Sequence, residues 1–472
     1  MFAALTKNHR RSSLYRDSKW YLAWTKYLRN DFEGALSDFD YIEKKQKTSW
    51  QWRSSITVEK VKYWKAMAQM QLGQFQESYE TMQKLSKLKS EDYYGTVSSF
   101  RLQQVYQMAK DSGHPIETSS GEKRFIANID EGKITPEAVL PEVPGEDKNN
   151  PPKPNASNSE EEDDSDYNEN LKVALDEEPS DFYYSLFKDD VEEESEENEF
   201  ITYFKHPKLS DRFDRVRDLV RIGYNEAARW ELYEIELRTR NETYQKSIMG
   251  VYKEIGAHNR SAYVSSIYFG TQRKNYGVEG VKYLWEHAYP RPYLEDVKSA
   301  SNEFQVQEEF IYSIMRAESF FRATIESPVG AKGLMQIMPN TGRQVSQLIG
   351  EQDFVVEDLL KPKVNIRLGA KYLQRLLKMF GGQIPLAAAG YNAGPHRVET
   401  WLHQFGDMEM DEFIEHIPYL ETRNYVKKVS RHFSLYNKLY ANNSVASVFL
   451  VQPIKPVLNG REPIRREHWN KL

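Results

Sequence analysis

One stretch of about 85 residues in this 472-residue chain cannot bury a core, and it determines how the rest can fold. From Pro115 to Glu199 the sequence first gathers prolines and then acidic side chains. Residues 159–199 contain 19 Asp and Glu against two Lys, a net charge of −17. A segment with this charge stays solvated instead of folding. We therefore expect folded parts on either side of a disordered, acidic insertion at residues 115–200.

The acidic segment also masks the charge of the remaining chain. The whole chain carries −6, so the residues outside 159–199 carry +11. A basic body is suited to anionic polymers such as nucleic acid or cell-wall glycan, and charge alone does not choose between them. The absence of Cys excludes disulfide frameworks, thiolate zinc sites and cysteine nucleophiles. The apolar runs are all shorter than the ~18 residues that a membrane span needs.

Helical periodicity dominates the chain before the insertion. Apolar side chains recur three and four positions apart over Trp20–Leu28 and over Phe32–Phe39, with a break at Asn30 between them. The same pattern returns 43 residues later, with its break at Gly73. Paired helices in tandem predict a helical-repeat, superhelical region over residues 1–114, and an ordinary helical bundle is the alternative.

The chain after the insertion divides into three parts. Helical periodicity resumes at Asp211 and predicts a second helical region over residues 201–294. The sequence Tyr-Pro-Arg-Pro at 289–292 interrupts the pattern before a last domain, which we place at residues 295–445. Residues 446–472 are predicted to form a solvated, basic tail. The predicted fold class is all-α.

A candidate catalytic acid lies in the first helix of the last domain, which we predict around Glu303–Phe321. Glu318 lies at the edge of the apolar face of this helix, and that face comprises Phe310, Ile314, Ala317 and Phe321. A carboxyl beside such a face loses water, which raises its pKa and keeps it protonated near neutral pH. General acid catalysis of glycosidic bond cleavage requires a protonated carboxyl. From position alone, an exposed glutamate at a helix end is the alternative.

Four sequence blocks follow one another in this domain. They are Glu318-Ser319, SPVGA at 327–331 with GLMQIMP at 333–339, AGYNAGP at 389–395, and IPYLETRNYV at 417–426. In this order and spacing they resemble the catalytic domain of the family 1 soluble lytic transglycosylases of bacteria. The resemblance covers the C-terminal third of the chain. The helical N-terminal part is broadly similar to the superhelical ring of those enzymes.

This resemblance implies a lysozyme-like, α-rich catalytic domain in which Glu318 is the single catalytic acid and base. Such enzymes cleave the β-1,4 bond between N-acetylmuramic acid and N-acetylglucosamine in peptidoglycan and leave a 1,6-anhydromuramic product. The resemblance implies no metal and no cofactor. It also implies glycan strands rather than nucleic acid as the partner, and a monomer. The substrate implies a periplasmic or otherwise exported protein, although residues 1–21 show no apolar stretch of an export signal.

The resemblance also assigns contacts to the loop after the acid. Ser327 is expected to hydrogen-bond the N-acetyl group of the substrate or the developing charge. Gln336 offers amide donors and an acceptor to the sugar, and Met338 offers it an apolar platform.

Further contacts are expected from the third and fourth blocks. Tyr391 is expected to hydrogen-bond near Glu318 and hold its rotamer and proton, and Asn392 to add a polar contact to the glycan. Glu421 and Arg423 are expected to form a buried pair that is either structural or in contact with saccharide.

Two other functions remain open at this point. A hydrolytic muramidase on the same fold needs a second carboxylate to activate water, and Asp353, Asp358 and Asp407 are available in no recognisable motif. A non-catalytic glycan-binding helical scaffold is the other possibility, which the intact Glu318 and its flanking blocks oppose. The products of wall digestion separate the three functions as anhydro ends, reducing ends or no cleavage.

Overall fold

The computed structural model describes residues 14–48, 56–88, 92–114, 116–117, 209–441, 450–458, 460 and 469. Within these ranges the regular elements are helices, and strand-like pairing is limited to isolated bridges. The predicted all-α class is thus confirmed. In the same ranges, no helix combines the length and the apolar character needed to cross a bilayer. The acidic insertion predicted at 115–200 lies outside the described residues, apart from 116 and 117.

The helices before the insertion form tandem pairs. They are α1 (Tyr15–Leu28), α2 (Phe32–Thr48), α3 (Val58–Gln71), α4 (Phe75–Leu88) and α5 (Tyr93–Asp111). Helices α3 and α4 begin 43 residues after α1 and α2, respectively. The turns within the two pairs use left-handed backbone at Asn30, with φ of 60°, and at Gly73, with φ of 74°. Each helix packs on the next along the chain, which confirms the predicted helical repeat.

Aromatic rings fill the core of this N-terminal region. The Trp24 ring lies edge-on to Trp64 with centroids 4.4 Å apart, and it stacks on Tyr27 at 5.3 Å. Large rings supply much apolar surface per residue, so a few short helices can bury a core here. Trp24 also lies 5.6 Å from the ring of His416, in the C-terminal domain. The N-terminal region therefore packs directly on that domain.

The region after the insertion has a separate core. Its helices are α6 (Ser210–Arg221), α7 (Asn225–Glu236), α8 (Glu242–Glu254), α9 (His258–Tyr268), α10 (Gly270–Gly280) and α11 (Lys282–Ala288). Phe213, Leu232 and Tyr252 are fully buried in this core. Trp230 on α7 is 59% exposed and lies outside this core.

Eight α-helices described between residues 294 and 436 build the C-terminal domain. They are α12 (Leu294–Phe304), α13 (Glu308–Glu318), α14 (Pro339–Leu348), α15 (Pro362–Met379), α16 (Ile384–Ala393), α17 (Pro395–Phe405), α18 (Met410–His416) and α19 (Leu420–Tyr436). The helix predicted over 303–321 was too long, because Gln305 adopts φ of 53° and separates α12 from α13. Helix α13 packs on α19, which in turn packs on α16.

The predicted solvated tail is wrong for part of residues 446–472. Leu450 is fully buried, and Ile454 is 8% exposed. The amide of Met410 donates to the carbonyl of Gln452 at 2.9 Å, and the amide of Ile454 donates to the carbonyl of Met408 at 3.3 Å. This stretch therefore pairs with the segment that leads into α18.

A buried ion pair joins the N-terminal region to the C-terminal domain. The guanidinium of Arg101 on α5 donates to both carboxylate oxygens of Asp411, at 2.6 and 3.2 Å, and both side chains are fully buried. Arg101 also donates to Glu409 at 2.6 Å, and the hydroxyl of Tyr63 donates to Asp411. A buried ion pair holds two surfaces together only if its other donors and acceptors also have partners. Glu409 and Tyr63 provide such partners here.

Replacing Arg101 with Met should destabilise the protein by about 3–5 kcal/mol, because it leaves the Asp411 carboxylate buried without its cation. Urea or thermal unfolding measures this loss. Arg238→Met is a matched control, since Arg238 pairs with Glu234 at 3.1 Å on an exposed face of the second helical region, where such a pair contributes under about 1 kcal/mol. Equal effects of the two substitutions would contradict a structural role for the buried pair.

Candidate active site

Glu318 is the last residue of α13, and its carboxyl lies against the start of α19. Phe310 and Ile314 are fully buried, and Ala317 is 5% exposed, so these three residues form the predicted apolar face. Phe321, the fourth residue predicted on that face, is buried but lies beyond the end of the helix. The Glu318 side chain is half-buried beside that face. The hydroxyl of Tyr425 on α19 donates a hydrogen bond to Oε1 of Glu318 at 2.5 Å.

The pKa of Glu318 is about 7, well above the 4.5 of an ordinary glutamate. Loss of water around the carboxyl is the largest cause, and the neighbouring carboxylate of Glu421 raises the pKa further. The Tyr425 hydrogen bond and the Lys428 ammonium lower it in part. A carboxyl with a pKa near the working pH can both donate and accept a proton, as a general acid and base must.

Tyr425 stays a neutral donor to this carboxyl. Burial and the charge of Glu318 raise the pKa of the Tyr425 phenol well above its usual value. A hydrogen bond from a neutral hydroxyl stabilises the ionised carboxylate more than the protonated acid. Tyr425 therefore both orients Glu318 and offsets part of the effect of burial.

The backbone turns sharply directly after the acid. Phe320 and Phe321 adopt left-handed conformations with φ of 50° and 66°. Such conformations are strained for bulky side chains and persist only where the surroundings hold them. The hydroxyl of Ser319 donates to the carbonyl of Leu334 at 2.7 Å. This contact fastens the end of α13 to the loop at 333–338.

The loop at 333–338 carries two of the predicted substrate-binding residues. Gln336 adopts φ of 48°, and its Nε2 donates to the carbonyls of Gly333 at 2.9 Å and Ile325 at 3.2 Å. Met338 is 41% exposed, as a platform for a ligand requires. Gly333, with φ of 77°, leaves no room for a side chain, because a Cβ there would lie 2.1 Å from the carbonyl oxygen of Leu359.

Ser327 belongs to the turn that precedes this loop. Its Oγ accepts a hydrogen bond from the amide of Ala331 at 2.8 Å, and the side chain is 8% exposed. The amide of Gly330 donates to the Ser327 carbonyl at 2.9 Å, and Gly330 has φ of 87°. Ser327 thus shapes the turn, and the contact to substrate expected of it stays a prediction.

Asn365 on α15 fixes the same loop, and sequence reasoning missed it. Its Oδ1 accepts from the amide of Met335 at 2.7 Å, and its Nδ2 donates to the carbonyls of Lys332 and Leu359 at 2.9 and 2.7 Å. The side chain is fully buried. The available signal was the place of Asn365 on the buried face of α15, at helical spacing from Leu368 and Tyr372, since a buried amide has to find partners.

Tyr425 makes the hydrogen bond to Glu318 that the sequence predicts near Tyr391. The hydroxyl of Tyr391 donates to the carbonyl of Met335 at 2.7 Å, while Tyr425 donates to Glu318. Tyr425 lies in the fourth block, and the sequence assigns it no role of its own. Tyr391 raises the pKa of Tyr425 electrostatically, so the two phenols are neighbours.

Asn392 and Glu421 lie together at the surface of the site. Nδ2 of Asn392 donates to Glu421 at 3.4 Å, and the hydroxyl of Thr422 donates to Oδ1 of Asn392 at 2.6 Å. Glu421 is exposed, so the predicted buried pair with Arg423 is wrong. Arg423 is 7% exposed and donates instead to the carbonyl of Ile417, at 2.8 and 3.0 Å.

Residues 295–414 match the family model described as "Transglycosylase SLT domain". Residues 295–414 of this chain are therefore a transglycosylase SLT domain, homologous to soluble lytic murein transglycosylases, which confirms the resemblance stated from the sequence. The soluble lytic murein transglycosylases of Salmonella typhimurium strain LT2 and Escherichia coli strain K12 are each 37% identical to this chain over 158 residues. Each match spans 32% of this chain and 24% of the relative.

Two solved structures share the overall fold. The 70 kDa soluble lytic transglycosylase of Escherichia coli aligns with a TM-score of 0.53 and 19% identity over 95% of this chain and 60% of that one. An inactive mutant of the lytic transglycosylase Slt from Pseudomonas aeruginosa aligns with a TM-score of 0.51 and 20% identity, over 96% and 61%. The fold is thus a superhelical helical region joined to a lysozyme-like domain, as predicted.

The raised pKa of Glu318 predicts a pH-dependent gain in stability from Glu318→Gln. Between pH 4.5 and about 7, the folded protein holds a proton that the unfolded chain has lost, so raising the pH destabilises the wild type. Gln carries no such proton. The variant should therefore gain about 1–3 kcal/mol over the wild type across this window and stay level above it. Urea unfolding at pH 4, 5.5, 7 and 8.5 measures the difference, and a gain that is the same at all four values would contradict the burial of this carboxyl.

Tyr425→Phe should raise the pKa of Glu318 above 7, because it removes the hydrogen bond that favours the carboxylate. In a pH–rate profile, the limb on which the acid loses its proton should move to higher pH, together with a fall in the maximal rate. Tyr312→Phe is the matched control, since the Tyr312 hydroxyl, also on α13, donates to the carbonyl of Pro292 at 3.1 Å. A shift to lower pH in the Tyr425 variant would contradict the assignment.

Proposed function

We propose that this chain is a peptidoglycan lytic transglycosylase that cleaves the β-1,4 bond between N-acetylmuramic acid and N-acetylglucosamine. One observation carries the proposal: within an SLT domain, the Glu318 carboxyl has a pKa of about 7 and is held by Tyr425 at 2.5 Å. A group that is protonated in part of the population at neutral pH and ionised in the rest can serve in both halves of the reaction.

In the first half of the reaction, Glu318 acts as the acid. Its proton passes to the glycosidic oxygen, the bond from that oxygen to C1 of the muramic acid breaks, and the N-acetylglucosamine leaves as an alcohol. Positive charge develops at C1, and the N-acetyl group of the substrate stabilises it. Glu318 is left as a carboxylate, which the Tyr425 hydroxyl stabilises with its hydrogen bond.

In the second half, Glu318 acts as the base. It takes the proton from the C6 hydroxyl of the same muramic acid as the C6 oxygen bonds to C1, which closes the 1,6-anhydro ring and restores the protonated acid. The attacking hydroxyl is part of the substrate and is already close to C1, so no second carboxylate is needed to activate a water molecule. One titrating carboxyl is sufficient for the complete cycle.

The groups around Glu318 suit a sugar. Gln336 offers its amide oxygen and Met338 an apolar surface on one loop, because the Gln336 Nε2 already donates to two backbone carbonyls. Asn392 on α16 and Glu421 on α19 add an amide and a carboxylate. Paired amides and carboxylates match the hydroxyl and acetamido groups of an amino sugar. We assign substrate contacts to these four residues. For Ser327 we propose a contact to the N-acetyl group of the substrate, in addition to its bond within the turn.

Hydrolysis by a muramidase is the second candidate function. One carboxylate near Glu318 supports it, because hydrolysis needs a second carboxylate to activate water. Glu421 is exposed and close enough to raise the pKa of Glu318. Asp358, one of the carboxylates considered from the sequence, is instead occupied with the Lys361 ammonium at 2.7 Å. If a water molecule replaces the C6 hydroxyl as nucleophile, Glu421 is the group that can activate it.

Glycan strands are the proposed partner, and a periplasmic or otherwise exported site of action follows from that substrate. The net charge of +11 outside residues 159–199 suits an anionic wall polymer. We retain a monomer as the expected state, with neither nucleic acid nor a cofactor in the reaction.

Digestion of purified peptidoglycan followed by mass spectrometry tests the proposed reaction. The wild-type protein should release fragments that end in 1,6-anhydromuramic acid, which are lighter by one water than hydrolysis products. Glu318→Gln should lower the rate by more than about a thousandfold, because the amide preserves shape and has no transferable proton. Residual turnover within tenfold of wild type would remove Glu318 from the mechanism.

Glu421→Gln separates the two reactions. For a transglycosylase, this variant should still release anhydro products, with a fall of about tenfold or less in rate from a lost sugar contact. For a muramidase, the wild type should release reducing ends, and the same substitution should abolish the activity.

A further inference from the structure

The C-terminal tail places one aromatic ring against the catalytic domain. The indole of Trp469 stacks on the ring of Tyr372, with centroids 5.6 Å apart and planes inclined by 23°. The guanidinium of Arg375 lies 4.7 Å from the centroid of the same indole. Tyr372 and Arg375 are three positions apart on α15, so one face of that helix holds the indole through both contacts.

The stack continues from Tyr372 towards the candidate active site. Tyr372 is 7% exposed, and its ring lies 5.5 Å from that of Tyr391 on α16. The hydroxyl of Tyr391 donates to the carbonyl of Met335 at 2.7 Å. An unbroken series of contacts thus leads from the tail to the backbone of the loop that carries Gln336 and Met338.

Helix α15 also holds Met335 from its other side. Asn365 accepts from the Met335 amide at 2.7 Å. One turn later, Gly369 makes room for the Met335 side chain, because a Cβ there would lie 2.2 Å from the sulfur. Tyr372 follows three positions further on, so the three residues share one face of the helix. Met335 is therefore fixed between α15 and the Tyr391 hydroxyl.

We propose that Trp469 is a positioning residue for the reaction, acting through Tyr372 and Tyr391 on the loop at 333–338. Gln336, which follows Met335, adopts φ of 48°. A residue other than glycine keeps this conformation only when its neighbours hold it. Removing the indole uncovers the outer face of Tyr372 and loosens the ring pair that holds the Met335 carbonyl. The inference has two sides: the structural side is that Trp469 holds the loop at 333–338, and the activity side is that this affects the reaction. The activity side rests on the proposed function, whereas the structural side does not.

Hydrogen–deuterium exchange of the intact protein tests the structural side without any substrate. The amide of Met335 is bonded to Asn365, and the amide of Ile337 is bonded to the carbonyl of Lys332 at 3.0 Å. Exchange over residues 333–337 should be at least fivefold faster in Trp469→Ala than in wild type, and it should return towards wild type in Trp469→Phe, which keeps a ring over Tyr372.

Trp230→Ala is the matched control for both sides. Trp230 also contacts a tyrosine and an arginine, Tyr233 at 6.2 Å and Arg229 at 4.8 Å, but it lies in the second helical region. This variant should leave both the exchange and the kinetics within twofold of wild type.

The kinetic measurement uses soluble glycan strands. Trp469→Ala should lower kcat/KM about tenfold, mainly through KM, because Gln336 and Met338 are binding groups. The midpoint of its pH–rate profile should not move, since the Tyr425–Glu318 contact lies outside the series. Trp469→Phe should recover most of the loss.

Unchanged exchange in Trp469→Ala would overturn the inference, as would faster exchange with unchanged kcat/KM, or an equal loss in the Trp230 variant. If wild type leaves glycan strands uncut, the proposed function fails, and the exchange experiment still decides whether Trp469 holds the loop.

Discussion

The desolvation of one carboxyl is the constraint on which the site depends. Glu318 ends a helix whose other face is fully buried, and the loss of water around its carboxyl is the main reason that its pKa reaches about 7. Keeping such a group costs folding stability above neutral pH. The hydrogen bond from Tyr425 offsets part of that cost by favouring the ionised state. The balance of these two contributions sets the proton affinity of Glu318. The proposed reaction needs a pKa near the working pH, because one carboxyl is to act first as an acid and then as a base.

Helix α19 links this balance to the rest of the molecule because two of its faces have different partners. One face presents Tyr425 to Glu318. Two positions later, Lys427 donates to Glu415 on α18 at 2.5 Å and to the Tyr94 hydroxyl at 2.7 Å. Lys60 of the N-terminal region adds a second cation to Glu415 at 2.8 Å. The N-terminal helices therefore hold the back of the helix that orients the acid.

This buried cluster carries opposed charges at close range. Burial lowers the pKa of Lys427, and the neighbouring Glu415 carboxylate opposes that shift. Burial also acts against ionisation of Glu415, but the two lysines hold its pKa well below the usual range. Together with Arg101 and Asp411, the cluster adds paired charges to an interface that also contains the apolar and aromatic core shared by the two regions. Removing Arg101 would leave the Asp411 carboxylate buried without its cation, so the contact between the two regions depends on this pair.

The sequence predicts the features that depend on local pattern, and it misses those that depend on distant contacts. The helical repeat follows from periodicity, and Glu318 follows from its place on an apolar face and from the blocks after it. Tyr425 is 107 positions from Glu318, and Asn365 is 30 positions from Met335. No spacing rule connects such residues, because the packing of α13, α15 and α19 brings them together. For the same reason the sequence could not show which tyrosine contacts Glu318. Tyr391 and Tyr425 both lie in blocks that match the family, and only the tertiary structure shows that Tyr391 donates to the Met335 carbonyl and Tyr425 to Glu318.

A direct titration of Glu318 tests the central claim. With ¹³C-labelled glutamate, the carboxyl signal of Glu318 is identified as the one missing from Glu318→Gln, and its chemical shift is followed from pH 3 to pH 10. A midpoint near 7 is expected, with burial as its cause. A midpoint near 4.5, the value of an ordinary glutamate, would mean that the carboxyl is solvated and ionised at neutral pH, and it would contradict the account of Glu318 as the single acid and base.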